Sequence, residues 1–301
     1  MKKIYLVLII ALTYISCEKV IPFEGDVTIP KLVINSIFQS DSTFKVHVSS
    51  SRSVLDTDSF QNITDAVVNI NDGNGNIIET LNHQENGFYV GQTFPQENQT
   101  YTLQVTHPNY VNITSMDSLP LSIVINSVDT STIVDPINGD RLQITMNFED
   151  PGSSQNFYLI ETYSINEYLV IKNSDTSEYE LDTAKQYMVL TDEVFQNGGS
   201  PWREQGLFND LLFNGQNKAL ELEIPYENLS GNEAGYNWSY KTLGVRVYLH
   251  NISRSYYYFR TSLELYQSAS GNPFAQPVQV YSNIENGFGV FAGSQISYFD
   301  L

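Results

Sequence analysis

Residues 66–81 read AVVNINDGNGNIIETL, two runs of alternating character on either side of Asn71-Asp72-Gly73-Asn74-Gly75. Ala66, Val68 and Ile70 share one face of an extended chain, as do Ile77, Glu79 and Leu81, because side chains along a strand alternate between faces. The Asn, Asp and Gly residues between them tolerate the positive φ of a tight reversal. The stretch predicts a β-hairpin, and its pattern recurs on both sides. Phe44, Val46 and Val48 alternate with Lys45, His47 and Ser49, which turns His47 outward, and Tyr101, Leu103 and Val105 alternate in the same way. With 31–38, 87–91 and 110–114, seven short strands fill residues 31–120, a number and spacing suited to an immunoglobulin-like β-sandwich that ends near Leu119-Pro120.

The remainder, residues 121–301, repeats the β pattern. Leu142, Ile144, Met146 and Phe148 face one way and Gln143, Thr145 and Asn147 the other, until Asp150-Pro151-Gly152 stops the strand. Further strands are expected at 157–163, 168–171, 220–224, 245–250, 278–281 and 296–299. One helix interrupts them at about 255–269, with Phe259, Leu263 and Tyr266 at helical spacing, Ser253 as N-cap, and Gly271 and Pro273 as stop signals. The expected class is therefore mainly β: an immunoglobulin-like sandwich, then a second antiparallel sandwich or barrel whose single helix covers a sheet or plugs a barrel end.

At the other end of the chain stands its single cysteine, Cys17. Lys2 and Lys3, an apolar run over 4–15 and the small Ser16 precede it, the order of a bacterial lipoprotein signal, although Tyr14 occupies a position where an aliphatic residue is usual. The run is too short to span a bilayer, which takes about 20 residues. Residues 1–16 are accordingly read as a cleaved signal peptide, Cys17 as the site of lipidation by palmitate-type acyl chains, and 17–30, with Pro22, Gly25 and Pro30, as a tether. Glu18-Lys19 is only a faint acidic export signal, so it leaves surface or periplasmic orientation open.

Composition excludes several function classes. The formal charge is −19, and loss of the two leader lysines makes the mature chain more acidic still, which disfavours nucleic acid as a partner. A hydrophobic content of 41% with 20 Tyr and 16 Phe is too high for a disordered chain. His47, His83, His107 and His250 are scattered singly, without the spacing that brings two imidazoles to one zinc, and the 69–76 stretch lacks the alternating oxygen ligands and closing glutamate of a calcium loop. No metal or cofactor is expected.

Catalytic candidates are equally sparse. No Gly-x-Ser-x-Gly elbow occurs. Glu221 and Glu223 lie two apart on a strand, about 7 Å from each other and near the range of an inverting glycosidase pair. They alternate with Leu220, Leu222 and Ile224, so the solvated face of a strand accounts for them. Gly287 and Gly289 are assigned to tight turning rather than phosphate binding. Tyr236, Trp238 and Tyr240 share one strand face and form the candidate ligand-binding group, with Tyr256, Tyr257 and Tyr258 at the helix start as a second aromatic group; such faces stack on sugars or cyclic ligands, or serve protein interfaces or cores.

The C-terminal stretch from Gly271-Asn272-Pro273-Phe274 through Pro277-Val278 and Tyr281-Ser282-Asn283-Ile284-Glu285-Asn286-Gly287-Phe288-Gly289-Val290-Phe291 resembles the closing signature of domain-of-unknown-function family 4249. Ala66-Val67-Val68 before Asp72-Gly73, Gly87-Phe88-Tyr89, Tyr101-Thr102-Leu103, Asp150-Pro151 ahead of Phe157-Tyr158, and Thr191-Asp192-Glu193-Val194-Phe195 agree in order, and Ala275-Gln276 is a mild departure. The resemblance implies a Bacteroidota outer-membrane lipoprotein, often encoded beside a TonB-dependent transporter, and brings no catalytic residue with it. Asp117-Ser118-Leu119 and Asp182-Thr183-Ala184 resemble the O-glycosylation signal of exported proteins from such bacteria.

The expected function is a non-enzymatic accessory subunit of a TonB-dependent uptake system, lipid-anchored in the outer membrane and facing either the cell surface or the periplasm. It would capture a carbohydrate or other small ligand, or dock on the transporter. A structural or adhesion lipoprotein of the envelope is the alternative, and a glycoside hydrolase a third.

Overall fold

The structure, a computed structural model, describes residues 29–53, 60–135, 139–172, 176–195, 202–225, 228–233, 236–272 and 274–301. The leader, Cys17, most of the tether and Pro273 lie outside the described residues. Among the described residues the class is mainly β with one helix, and the two sheets pack in a sandwich-like way without closing a barrel.

Residues up to 118 form β1 (Leu32–Phe38), β2 (Lys45–Ser50), β3 (Val67–Asn71), β4 (Ile77–His83), β5 (Phe88–Val90), β6 (Thr100–Thr106) and β7 (Ile113–Ser118). Their order runs β1-β2-β5-β4-β3-β6-β7, so the sheet folds over at β4 and β5 and faces itself. Period-two alternation sets what lies between the layers: Phe44, Val46 and Val48 from one side meet Val68, Ile70, Leu103 and Val105 from the other. The β3–β4 turn is held by Asp72, whose Oδ1 accepts the backbone N–H groups of Asn74 and Asn76. Those bonds, the Asn76 side chain first, hold the Asp72 carboxyl below its ordinary pKa.

The second half contributes β8 (Ile125–Ile133), β9 (Arg141–Glu149), β10 (Phe157–Lys172), β11 (Thr176–Lys185), β12 (Met188–Val189), β13 (Trp202–Arg203), β14 (Gly206–Asn209), β15 (Asn217–Pro225), β16 (Asn228–Glu233), β17 (Tyr236–Ile252), the helix α1 (Arg254–Ala269) and β18 (Phe288–Asp300). A five-stranded sheet, β13-β12-β15-β9-β8, lies against the face of the larger sheet built from β10, β14 and β17. Ile144, Met146, Phe148, Leu220, Leu222 and Ile224 meet Tyr158, Ile160, Val247 and Leu249 in this second core. On the far side of the larger sheet α1 lies over a small cluster of Phe157, Leu159, Leu207 and Ile252 through Tyr256 and Tyr257.

The last strand splices the two halves. Phe288 to Gly293 pair parallel to β1, and Ser294 to Asp300 pair antiparallel to β17. Ile284 and Phe291 are buried in the first core, not the second. Gly289 has φ +99° and a Cβ there would stand 1.9 Å from the Ile34 carbonyl oxygen, so glycine is required where β18 meets β1. Turning alone does not explain this residue: close backbone approach does. Asn283 locks the same joint, donating from Nδ2 to the Phe291 carbonyl and accepting the Phe291 N–H.

Two local expectations need correction. Residues 278–281 join no strand; the Tyr281 N–H goes instead to the Ser262 hydroxyl on α1. Tyr266 does not face the sheet but is 49% exposed, because α1 is largely half-buried as far as Glu264, where Arg260 and Glu264 bond Gln205, and residues 265–268 beyond it are exposed.

Candidate functional site

An open cleft of about 390 Å³ lies where the two halves and the start of α1 meet. Asn98, Asp117, Ser118 and Leu119 wall it from the first half; Ser153, Ser154, Gln155, Asn156, Phe157 and Asn251 wall it from the second; Ser253 and Arg254 close it at the helix. Each wall is held by backbone or amide bonds. Asn98, with φ +58°, donates its N–H to the Leu119 carbonyl, Asn251 Nδ2 donates to the Leu121 carbonyl, and the Asn156 N–H donates to Asp210.

Asp117 is the carboxylate among the residues lining the cleft. Ser253 caps α1, its Oγ accepting the Tyr256 N–H at 3.2 Å while its hydroxyl donates to Asp117 Oδ2 at 2.5 Å. The Ser118 N–H also donates to this carboxylate. Burial nonetheless dominates and pushes the Asp117 carboxyl up to about 6, against the lowering effect of its hydrogen bonds to Ser253, Ser118, Gly293 and Ser255. Because Asp117 and the Ser253 hydroxyl already occupy the positive end of α1, that helix terminus has little left for an anionic ligand.

Of the aromatic rings packed around the start of α1, Phe157 lines the cleft. Phe157 stacks obliquely on Tyr257 at 4.8 Å and reaches Tyr258 at 6.2 Å, and Tyr258 meets Tyr281 at 5.8 Å. Arg254 lies over the Tyr258 ring at 5.3 Å and donates to its hydroxyl. Successive helical positions point about 100° apart, so Tyr256, Tyr257 and Tyr258 cannot share a flat face. The first two pack on the sheet, and only Tyr258 is classed among the exposed side chains, at 38%.

The strand candidates fare differently. The side chains of Tyr236 and Trp238 lie outside the described residues; Tyr240 pairs across with Tyr168. A register shift between Ile165 and Asn166 lets Thr242 oppose Asn166, and the two side chains bond at 3.2 Å. That irregularity reverses the parity of β17, so Tyr240 lies on the opposite face from Tyr248. Sequence reading missed the latter group: Tyr163, Tyr248 and Tyr298, on three adjacent strands, meet at 5.4 and 6.0 Å, with Arg246 over Tyr298 and paired with Asp300.

Of the carboxylate pair, Glu223 is bound by Arg141 at 2.9 Å and Glu221 lies exposed beside it, between Leu220, Leu222 and Ile224 in the core. A further polar group sits beneath α1, where His250, held below its ordinary pKa by burial against the opposing pull of Glu161, lies 3.7 Å from that glutamate, itself paired with Lys185. No group of three or more His, Cys, Asp or Glu side chains able to hold a metal ion occurs among the described residues. Ser118 and Thr183, of the two tripeptides, are both exposed.

Fold and cleft together define a two-lobed, largely antiparallel β protein whose lobes share one closing strand and one cleft. The chain belongs to the family described as domain of unknown function DUF4249, whose model matches residues 18–298. No curated protein matches it. The family-signature residues prove to be joints of the fold: Tyr89 donates its hydroxyl to the Ile63 carbonyl and accepts the Ala66 N–H, Tyr158 donates to Asp150, and Asp192 accepts Lys218 Nζ and the Glu221 N–H.

Proposed function

We propose that this protein is a lipid-anchored accessory subunit of a TonB-dependent uptake system in an outer membrane, tethered through Cys17 and acting in ligand capture at the transporter. The observation that carries the reading is the solvent-open cleft built from both lobes. Among the described residues neither His nor Cys lines it, and the one carboxylate that does, Asp117, is engaged as a helix-cap partner; that supports capture rather than catalysis. The leader ending in Ser16-Cys17 supports the anchor, and several acyl chains at one sulfur would hold the body firmly, each buried methylene contributing roughly 0.8 kcal/mol.

Detergent solubilisation of outer membranes followed by affinity purification of the full-length lipoprotein tests this. A TonB-dependent transporter recovered in stoichiometric amount is the expected result; the lipoprotein alone, or Cys17 without acyl chains by mass spectrometry, counts against it. The Tyr163, Tyr248 and Tyr298 face, half-buried at the first two and 57% exposed at Tyr298, favours a second reading, an adhesion or scaffold role. Deletion that abolishes surface attachment and leaves nutrient uptake unchanged would select it.

A further inference from the structure

Resting on the lipid-anchor part of that reading, we infer that the pole of the first lobe from which the tether emerges is a membrane-docking surface, seating Ile29, Phe60, Val111 and Phe288 in the headgroup region of the bilayer that holds the Cys17 lipid. Strand directions define this pole. β1 starts there, and β18, parallel to it, enters there at Phe288 and leaves for the second lobe after Gly293. Gly293 accepts the Ser253 N–H at the cleft, so at ~3.3 Å per residue the cleft stands about 20 Å above the pole. The β6–β7 turn reaches the same level: Asn286 Nδ2 donates to the Asn112 carbonyl, and Ile29, Tyr110, Val111 and Asn286 line one shallow hollow of about 230 Å³. So does the end of β2, where Lys31 and Ser51 exchange hydrogen bonds.

Three observations select a bilayer as the occupant. First, large apolar side chains are exposed here: Ile29 at 85%, Phe60 at 69%, Val111 at 68% and Phe288 at 46%. They project singly from a turn and from chain segments at strand ends. A soft interface accepts such projections, whereas a rigid protein partner needs a continuous complementary face. Second, both cations described at this pole lie over those rings, Lys31 Nζ at 5.3 Å from Phe288 and Arg52 at 4.5 Å from Phe60. That pairing suits headgroup depth, where the ring enters among acyl carbons and the charge stays with phosphate oxygens. Asp65, Glu85 and Glu285 stand at the same end, so among the described residues this pole is close to neutral on a chain of formal charge −19, and a largely zwitterionic surface repels it least. Third, Ile29 is twelve residues beyond Cys17, which at full extension, ~3.3–3.6 Å per residue, keeps the pole within about 40 Å of the anchoring sulfur. The anchor's own bilayer always lies within that reach, and confinement by a short linker makes a surface too weak to bind from solution effective. The body then stands upright, with its cleft held away from the lipid.

Tryptophan fluorescence tests this, because the chain's two tryptophans, Trp202 and Trp238, both belong to the second lobe. The full-length lipoprotein is reconstituted into vesicles of phosphatidylethanolamine and phosphatidylglycerol, three parts to one, with plain or mid-chain brominated acyl groups. In parallel the mature, unacylated chain is coupled through its Cys17 thiol to a maleimide lipid in the same vesicles. In both preparations the emission added by Val111→Trp and by Phe288→Trp should shift to the blue and fall about twofold with brominated lipid, even in high salt, while the parent's emission does not change. Val111→Asp should abolish the quenching of Phe288→Trp. If a tryptophan variant melts early, hydrogen exchange of the coupled parent is read instead, slowed at amides 109–112 and unchanged at 129–133. Added emission that bromine does not quench on the maleimide lipid, quenching that ignores Val111→Asp, or equal quenching of the parent overturns the inference; a blue shift without quenching overturns it too and assigns the pole to a second copy of the chain. Acyl chains at Cys17 without quenching would keep the anchor and remove the docking pole, whereas quenching on the maleimide lipid with Cys17 unacylated in native membranes would keep the lipid-seeking pole and remove the anchor.

Discussion

Asp117 shows how one carboxyl can couple the site to stability. Its pKa is raised from 3.8 to about 6 by burial, so the folded protein holds this proton more tightly than the unfolded chain does. The stabilisation from that proton is complete below the unfolded pKa and is lost as pH rises through the folded one, so this group favours the fold at pH 4 and opposes it at pH 7. A shift of this size corresponds to roughly 3 kcal/mol. Urea titrations of the parent and Asp117→Asn at pH 4 and pH 7 should show the variant gaining on the parent by roughly 2 kcal/mol as pH rises, since pH 4 already lies just above the unfolded pKa; a constant difference would show that the carboxyl titrates normally. Gly289 allows an equally sharp comparison. Gly289→Ala would combine an unfavourable φ of +99° with a Cβ driven into the Ile34 carbonyl, whereas Gly75→Ala has φ +87° and open space around it. Equilibrium unfolding should register about 1 kcal/mol for Gly75→Ala and roughly 3 kcal/mol or more for Gly289→Ala; equal losses would mean that β1 and β18 do not approach as closely as described.

Elements in which one side of a strand is buried were plain in the sequence, because burial of Phe44, Val46, Val48, Leu103 and Val105 imposes a period of two. The helix was equally plain, since Ser253 does cap it and its span, Arg254–Ala269, is nearly the one expected. β8 went unread: its side chains are half-buried or exposed throughout, so no alternation marks it. The faces of β17 were illegible for another reason, since a bulge inverts which residues point together and only the partner strand reveals it. Least legible was the cleft, assembled from Asn98, Asp117, Asn156, Asn251 and Arg254, which no local spacing connects. Ser253 is where element and site meet. Replacing it by alanine removes the cap of α1 and leaves the Asp117 carboxylate without its hydroxyl donor. The two losses together should lower stability by roughly 2 kcal/mol and raise the Asp117 pKa further, followed by carboxyl carbon NMR titration; a pKa that moves down would show that Ser253 is not its principal donor.

At the scale of the molecule, the chain order of the lobes is not the order in which they are completed. The first core contains Phe291 and Ile284, contributed by the last twenty residues, and β1 has β18 as its outer neighbour. Full burial of two such side chains contributes roughly 1.5–3 kcal/mol each, so their loss approaches the low end of the 5–15 kcal/mol by which whole domains are ordinarily stable. It also exposes the edge of β1, a free row of backbone donors and acceptors. A fragment of residues 29–122 should therefore fail to fold alone despite having all seven of its own strands: its proton–nitrogen correlation spectrum should be poorly dispersed, and its urea unfolding broad. Adding a peptide of residues 282–301 in trans should recover dispersed signals from β1 and β2, since that segment carries the Asn283 lock, both core side chains and the strand that pairs with Leu32–Phe38. A fragment that unfolds cooperatively without the peptide would mean that the lobes are independent domains merely tied by β18, and a ligand held between them could then do little to stiffen their joint.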